Sequence, residues 1–318
     1  MKIAIMGSGG VGGYFGALLH RAGQQVWFIA RGEHLRAMQA AGLRVTSVLG
    51  DFTIRVNATD NPIEVGAADL VIFGVKSYDT EAAATLMKPM VGPTTAILCV
   101  QNGVDNEEKL AAVYGERAVL PGVVHIFSVV STPGVITQTG GPRKITFGES
   151  DGSITPRVER IFEVFGKADI NYRVSTRILA DLWEKFLLIC ALGGMTALTR
   201  APIGEIRSCP ESWAMLRVVM EEVAAVARAK GIAIPADAVE QAMRFTAGMS
   251  PDARASLYHD LAAGKRLELD ALSGAVVRFG KAVGVATPMN RAIYAALKPH
   301  DLRARGELPV QQCLAGDQ

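Results

Sequence analysis

Five mostly apolar residues, Lys2–Met6, run without pause into GSGGVGG, and Val11–Arg21 follows with helical spacing. Gly7, Gly9 and Gly12 thus stand in G-x-G-x-x-G order at a strand-to-helix junction. No other feature of the chain restricts its fold so tightly. The first glycine allows a tight turn. The second lets a pyrophosphate come against backbone where a Cβ would collide, and the third lets helix and strand pack closely. Amides of the first helical turn, with the helix dipole behind them, then face the anion. Gly7, Ser8, Gly9, Gly10, Val11 and Gly12 are therefore the candidate dinucleotide-binding loop. Glycines serving only a turn are the competing reading.

In such a unit the second strand presents a residue to the adenosine ribose about 20 positions past the glycines, and an acid there suits NAD or FAD. The strand expected over Gln25–Ala30 ends instead in Arg31. A guanidinium pairs with a 2′-phosphate, so the expected cofactor is NADPH. An ordinary surface arginine is the alternative, and Glu33 keeps a ribose-binding acid in play. FAD, the rival dinucleotide, is disfavoured by the missing acid.

Two more apolar runs, ADLVIFGVKS (68–77) and TTAILCVQNG (94–103), close on polar residues. Continuous apolar runs suit strands covered on both faces of a parallel sheet. Their alternation with helices predicts an α/β fold with an N-terminal Rossmann-type doubly wound sheet. The stretch 118–149, rich in Val, Thr and Gly, predicts several short strands with turns that extend the sheet. Beyond about residue 153 strands become scarce. Helices are expected over 176–198, 210–230, 236–249 and 256–283, the last broken near Gly264. With 318 residues, 49% of them hydrophobic, the chain suits two domains. These are 1–170, an NADP-binding Rossmann-like domain, and 171–318, an all-α substrate and catalytic domain.

A formal net charge of +2 gives no strong field, so neither nucleic acid nor a membrane surface is an expected partner. The longest uncharged apolar run, 186–195, falls well short of the ~20 residues a membrane span needs. The apolar start closes on glycine, and no signal peptide is expected. The four cysteines, Cys99, Cys190, Cys209 and Cys313, show no CxxC spacing and read as reduced thiols of a cytoplasmic protein. The five histidines, at 20, 34, 125, 259 and 300, form no HxxxH or HExxH pattern, so no metal is expected. Residues 299–318 have no evident role and are expected to be partly disordered.

In open α/β sheets ligands lie beyond the carboxyl ends of the strands. Lys76, after LVIFGV, and Asn102, after AILCVQ, stand at such ends; each either faces a cofactor crevice or merely begins a loop. Lys185 lies in LADLWEKFLLICALGGMTAL. An ammonium in so apolar a helix is costly without a partner or a cavity, unless it snorkels to the surface. Hydride arrival at a ketone carbon makes an alkoxide, and an ammonium beside that oxygen stabilises the charge and supplies the proton. In SLYHDLAAGKRLELDALSG (256–274), Ser256 offers a hydroxyl to a carboxylate and Glu268 a partner to a lysine. A solvated helix flank would carry the same charges.

Together GSGGVGG, VKSYDT, QNGV, WEKF, SLYHDLAAGKRLELDALSG and GVATPMNRAIYAALK resemble the ketopantoate reductase (2-dehydropantoate 2-reductase) family, over residues 2 to about 298. The resemblance implies NADPH bound by the N-terminal domain and a 2-oxo acid reduced against a helical C-terminal domain. It makes Lys185 the general acid, Glu268 the acid working beside it, and Ser256 the holder of the substrate carboxylate. Asn102 and Lys76 become polar neighbours of nicotinamide and substrate. The family's catalytic helix usually carries K-x-x-x-N-x-x-x-N; here the positions read Lys185, Ile189 and Gly193. Spacings of four and eight share a helical face, so Ile189 and Gly193 are expected to border the substrate pocket, as a butyl group and a void. The family's usual NG is here Ser273–Gly274.

The resemblance implies 2-dehydropantoate as substrate, in pantothenate biosynthesis. Ile189 and Gly193 leave open a more apolar 2-oxo acid. A non-catalytic NADP(H)-binding regulator is the alternative from another class, and Lys185, Glu268, Ser256 and Asn102 count against it. A helical dimerisation scaffold explains the second half only; a homodimer is compatible with the sequence, which does not decide it.

Overall fold

The computed structural model describes residues 1–308. Residues 309–318, and Cys313 with them, lie outside the described residues. The chain divides into two compact units, Met1–Leu182 and Trp183–Gln318, against the 170/171 boundary expected.

The first unit runs β1 (Lys2–Met6), α1 (Gly10–Arg21), β2 (Gln25–Ile29), α2 (Gly32–Ala41), β3 (Leu43–Ser47), β4 (Phe52–Ile54), β5 (Asn57–Thr59), α3 (Pro62–Val65), β6 (Ala68–Phe73), α4 (Thr80–Leu86), β7 (Val91–Cys99), α5 (Asn106–Tyr114), β8 (Val119–Thr132), β9 (Val135–Phe147), α6 (Pro156–Lys167) and β10 (Asn171–Val174). One sheet has the order β4-β3-β9-β8-β7-β6-β1-β2-β5, with β10 on β9. The strands β5-β2-β1-β6-β7-β8 are parallel throughout, in doubly wound order. The apolar runs are continuous because both faces are covered. Ile3 and Ile5 of β1, with Leu70 and Ile72 of β6, join the core under α1. The alternate residues Ala4, Met6, Val71 and Phe73 join a second core on the opposite face.

The stretch expected as several short strands is instead one long hairpin, β8 and β9 joined at Pro133–Gly134. Its antiparallel register slips near Phe127. Gly140 and Gly141 sit opposite that slip inside β9, Gly141 at φ +82°. They accommodate a bulge rather than end a strand.

The remaining helices are α7 (Ile178–Thr199), α8 (Ile203–Ser208), α9 (Pro210–Ala229), α10 (Ala238–Ala247), α11 (Ser256–Ala262), α12 (Ser273–Val283) and α13 (Pro288–Ala304). The helix expected over 256–283 with a break near Gly264 is two helices, separated there by the non-helical segment 263–272. Glu222 of α9 caps α13, its carboxylate accepting from the amides of Met289 (2.8 Å) and Asn290 (2.9 Å). That negative charge meets the orphan donors of a helix N-terminus that no side chain of its own helix caps. Of the tail expected to be partly disordered, Pro299 to Ala304 belong to α13. Among the described residues no helix is long and apolar enough to cross a membrane.

Candidate functional site

The carboxyl ends of four neighbouring strands, in spatial order β2, β1, β6 and β7, carry Arg31, the glycine loop, Lys76 and Asn102. Gly7 has φ +99°, and a Cβ on it would meet Val75 N at 2.8 Å, so the loop packs on the chain leaving β6. A Cβ on Gly12 would lie 2.2 Å from Gly7 O and 2.8 Å from Ile5 Cγ2, which is the helix–strand approach. Gly10 fits likewise under Ser128 of the hairpin, at 2.3 Å from its carbonyl oxygen. Gly9 differs: a Cβ there would meet nothing within 4 Å. It opens onto space that a Cβ would narrow, beside a helix start that no side chain caps. A dinucleotide diphosphate fits that arrangement.

Ser8 is buried, and its hydroxyl donates to Ile29 O at 2.9 Å, pinning the loop to the end of β2. Its carbonyl oxygen lies 2.9 Å from His34 Nε2, while His34 Nδ1 accepts from the amide of Gly134 at 3.0 Å. An acceptor at Nδ1 makes Nε2 the protonated nitrogen, so the ring is neutral. It bridges the glycine loop to the hairpin turn. Nothing in the scattered histidine pattern marked this residue; its role needs Ser8 and Gly134, distant in sequence. Burial holds its pKa below the ordinary 6.5, with the Ser8 bond opposing. A native pKa below the unfolded one means that its stabilising contribution is whole above pH ~6.5 and is lost as the pH falls through that range toward the native value. The melting temperature of wild type should therefore fall more between pH 7.5 and 5.5 than that of His34→Asn. Parallel curves would remove this role.

The loops after β6 and β7 are locked together. Gln101 Nε2 donates to Val75 O and to Thr80 Oγ1, both at 2.9 Å, and Asn106 Nδ2 donates to Asn102 O at 2.9 Å. These bonds fix where half-buried Lys76 and Asn102 leave the sheet. Arg31, 74% exposed, pairs with Asp79 across the same edge at 3.0 Å. An exposed pair is worth only ~0–1 kcal/mol, so the guanidinium remains available to an anion.

In the second unit, Lys185 and Ile189 lie on α7 among buried neighbours, Phe186, Leu187 and Cys190, and are themselves only half-buried. Gly193, four residues on, is buried. A Cβ there would touch Leu257 Cβ at 3.6 Å and Leu272 Cδ1 at 3.9 Å. The void expected at Gly193 is thus closed by those two leucines. The same contacts gather the predicted stretches: Leu257 follows exposed Ser256 at the start of α11, and Leu272 ends the segment that carries buried Glu268. The thiols of Cys99 and Cys190 are buried and raised in pKa by that burial, which makes them unreactive.

A doubly wound sheet with an uncapped glycine loop, followed by a helical unit bearing a cation on an apolar helix, defines a dinucleotide-dependent oxidoreductase. The model of the family "Ketopantoate reductase PanE/ApbA" matches residues 3–152, and that of its C-terminal part matches residues 177–301. The chain belongs to the ketopantoate reductase family. A 2-dehydropantoate 2-reductase of Archaeoglobus fulgidus is 33% identical over 293 residues, 92% of this chain and 95% of that protein. The crystal structure of a PanE/ApbA family ketopantoate reductase from Ralstonia eutropha has a TM-score of 0.89 and 36% identity, covering 96% of this chain and all of that one. A D-mandelate dehydrogenase solved with NADH and anilino(oxo)acetate shares the fold, at TM-score 0.88 and 20% identity.

Proposed function

We propose that this enzyme reduces 2-dehydropantoate to pantoate with NADPH. The observation that carries the reading is Lys185, a half-buried ammonium on an apolar helix in the same unit as Ser256 and Glu268. The A. fulgidus relative, a 2-dehydropantoate 2-reductase, supports the substrate. The bound nicotinamide supplies the hydride. Gly7–Gly12 would hold the diphosphate and Arg31 the 2′-phosphate, with Lys76 and Asn102 along the same edge. Ser256 donates its hydroxyl hydrogen to the substrate carboxylate. Lys185 donates to the ketone oxygen, stabilises the charge developing there and releases its proton as the alkoxide forms. Glu268 works beside the ammonium and the substrate.

The cofactor choice rests on Arg31. Arg31→Ala should lower kcat/KM for NADPH about tenfold or more, the scale of one lost charge-assisted contact, and leave NADH use unchanged. An unaltered preference in steady-state kinetics refutes the assignment.

A second reading has its own observation. Ile189 is half-buried where the family places an amide, and Leu257 and Leu272 close the next position. A buried hydroxyl left unpaired costs ~1–3 kcal/mol, roughly 5- to 150-fold in selectivity. 2-Dehydropantoate and 3,3-dimethyl-2-oxobutanoate differ by one hydroxyl, so their kcat/KM ratio, followed by NADPH absorbance, decides. A preference of about 100-fold or more for 2-dehydropantoate supports the first reading. Parity, or a preference for the dimethyl acid, supports a more apolar 2-oxo acid.

A further inference from the structure

Glu268 lies in the one long non-helical connection between α11 and α12, where backbone is ordinarily mobile. Here both sides of it are tied to a single helix. The amide of Leu267 donates to Asp301 Oδ1 at 3.0 Å. Asp270 Oδ1 accepts from Tyr294 Oη at 2.7 Å and from Lys298 Nζ at 3.0 Å, and Oδ2 accepts from Lys298 at 3.0 Å. The carbonyl oxygen of Glu268 itself accepts from the amides of Ala271 and Leu272, at 3.2 and 3.1 Å.

Tyr294, Lys298 and Asp301 are spaced four and three apart, so they form one stripe on α13. Asp301 is 1% exposed, and a buried carboxylate is costly unless paired. It is paired with Lys298 at 3.4 Å and Arg305 at 3.6 Å. Negative, positive and negative groups thus follow one another from Asp301 through Lys298 to Asp270. The tyrosine ring lies against Gly274, where a Cβ would meet it at 2.8 Å. Buried Leu267 and Leu269 anchor this segment to the core, and the bonds from Leu267 to Asp301 and from Lys298 and Tyr294 to Asp270 add a polar tie on either side of Glu268.

We propose that Asp301, with Lys298, is a positioning residue for Glu268. It holds the main chain on either side so that the carboxyl group is presented in one place. The inference rests on the reading of Glu268 as the acid beside Lys185. Asp301 touches neither substrate nor cofactor in this role.

The test is a double-mutant cycle on the full-length enzyme, with kcat, KM for the 2-oxo acid and KM for NADPH measured for each variant. Misplacing a reacting group by about 1 Å costs on the order of 100-fold, so Asp301→Ala should lower kcat about 10- to 100-fold with KM for NADPH within about twofold. Asp301→Asn, which keeps the acceptor for Leu267, should recover most of it. In a Glu268→Ala background the Asp301 substitution should have no further effect on kcat, whereas a merely structural defect would add. If Asp301→Ala does not fold, Lys298→Met, which takes the ammonium away from both Asp270 and Asp301 and leaves the Leu267 bond to Asp301 in place, runs the same cycle. A folded Asp301 or Lys298 variant with wild-type kcat, or full additivity with Glu268→Ala, overturns the proposal. Wild-type kcat in Glu268→Ala by itself would instead overturn the reading of Glu268.

Discussion

Lys185→Ala should lower kcat by about 10²–10⁴-fold and leave the Kd for NADPH within about twofold. The upper figure combines loss of a general acid with loss of the charge that meets the developing alkoxide. The lower is what either alone supplies. The fold should tolerate the change. Lys185 is half-buried, its neighbours Phe186, Leu187 and Cys190 make the core contacts, and alanine is the better helix former. Lys185→Arg should not restore the rate, since a guanidinium keeps its proton at any working pH and needs more room. Single-turnover NADPH oxidation and a separate binding titration check this. Equal losses in rate and binding would make Lys185 a scaffold residue.

Gly9→Ala and Gly12→Ala, three residues apart, should fail in opposite ways. At Gly12 the new methyl would meet the Gly7 carbonyl oxygen at 2.2 Å, backbone against backbone, with no side chain free to yield. Overpacking of that kind costs ~1–3 kcal/mol or more, so the melting temperature should fall by about 5–10 °C. At Gly9 the methyl meets no protein atom within 4 Å, and φ −74° suits any residue. Gly9→Ala should melt within about 2 °C of wild type, as an unconstrained surface change does. Its Kd for the dinucleotide should rise tenfold or more, because the methyl occupies the ground the diphosphate needs. Thermal denaturation and a fluorescence titration separate the two. A Gly9→Ala protein that binds normally would remove the diphosphate from this loop.

The two glycines also show what could be read early. G-x-G-x-x-G assigns a job to each position by spacing alone, because turn, phosphate approach and helix contact are local events within six residues. Strands β1, β6 and β7 were equally readable, since a strand covered on both faces has to be apolar throughout. The hairpin was not. Gly140–Gly141 is the same dipeptide whether it ends a strand or bulges inside one, and only its pairing opposite Phe127 decides. Gly193 read as a void because a missing side chain leaves one unless something distant fills it; Leu257 and Leu272 do. Asp301 had no readable role, since Pro299 just before it signals a helix end. The turn beyond the proline carries bonds to the Glu268 segment and into α13's own last turn.

By itself, then, the sequence determined the doubly wound sheet, the helical second half, the loop able to take a dinucleotide and the cation on α7. All of these follow from periodicity and from contacts within a few residues. Tertiary structure alone decided which side chains are held, and by what: the candidate Arg31 against Asp79, and the unmarked His34 between Ser8 and Gly134 and Asp270 on Lys298. Such bonds join positions from 26 to 100 residues apart. No local pattern encodes them, because their partners become neighbours only when the chain has closed its cores.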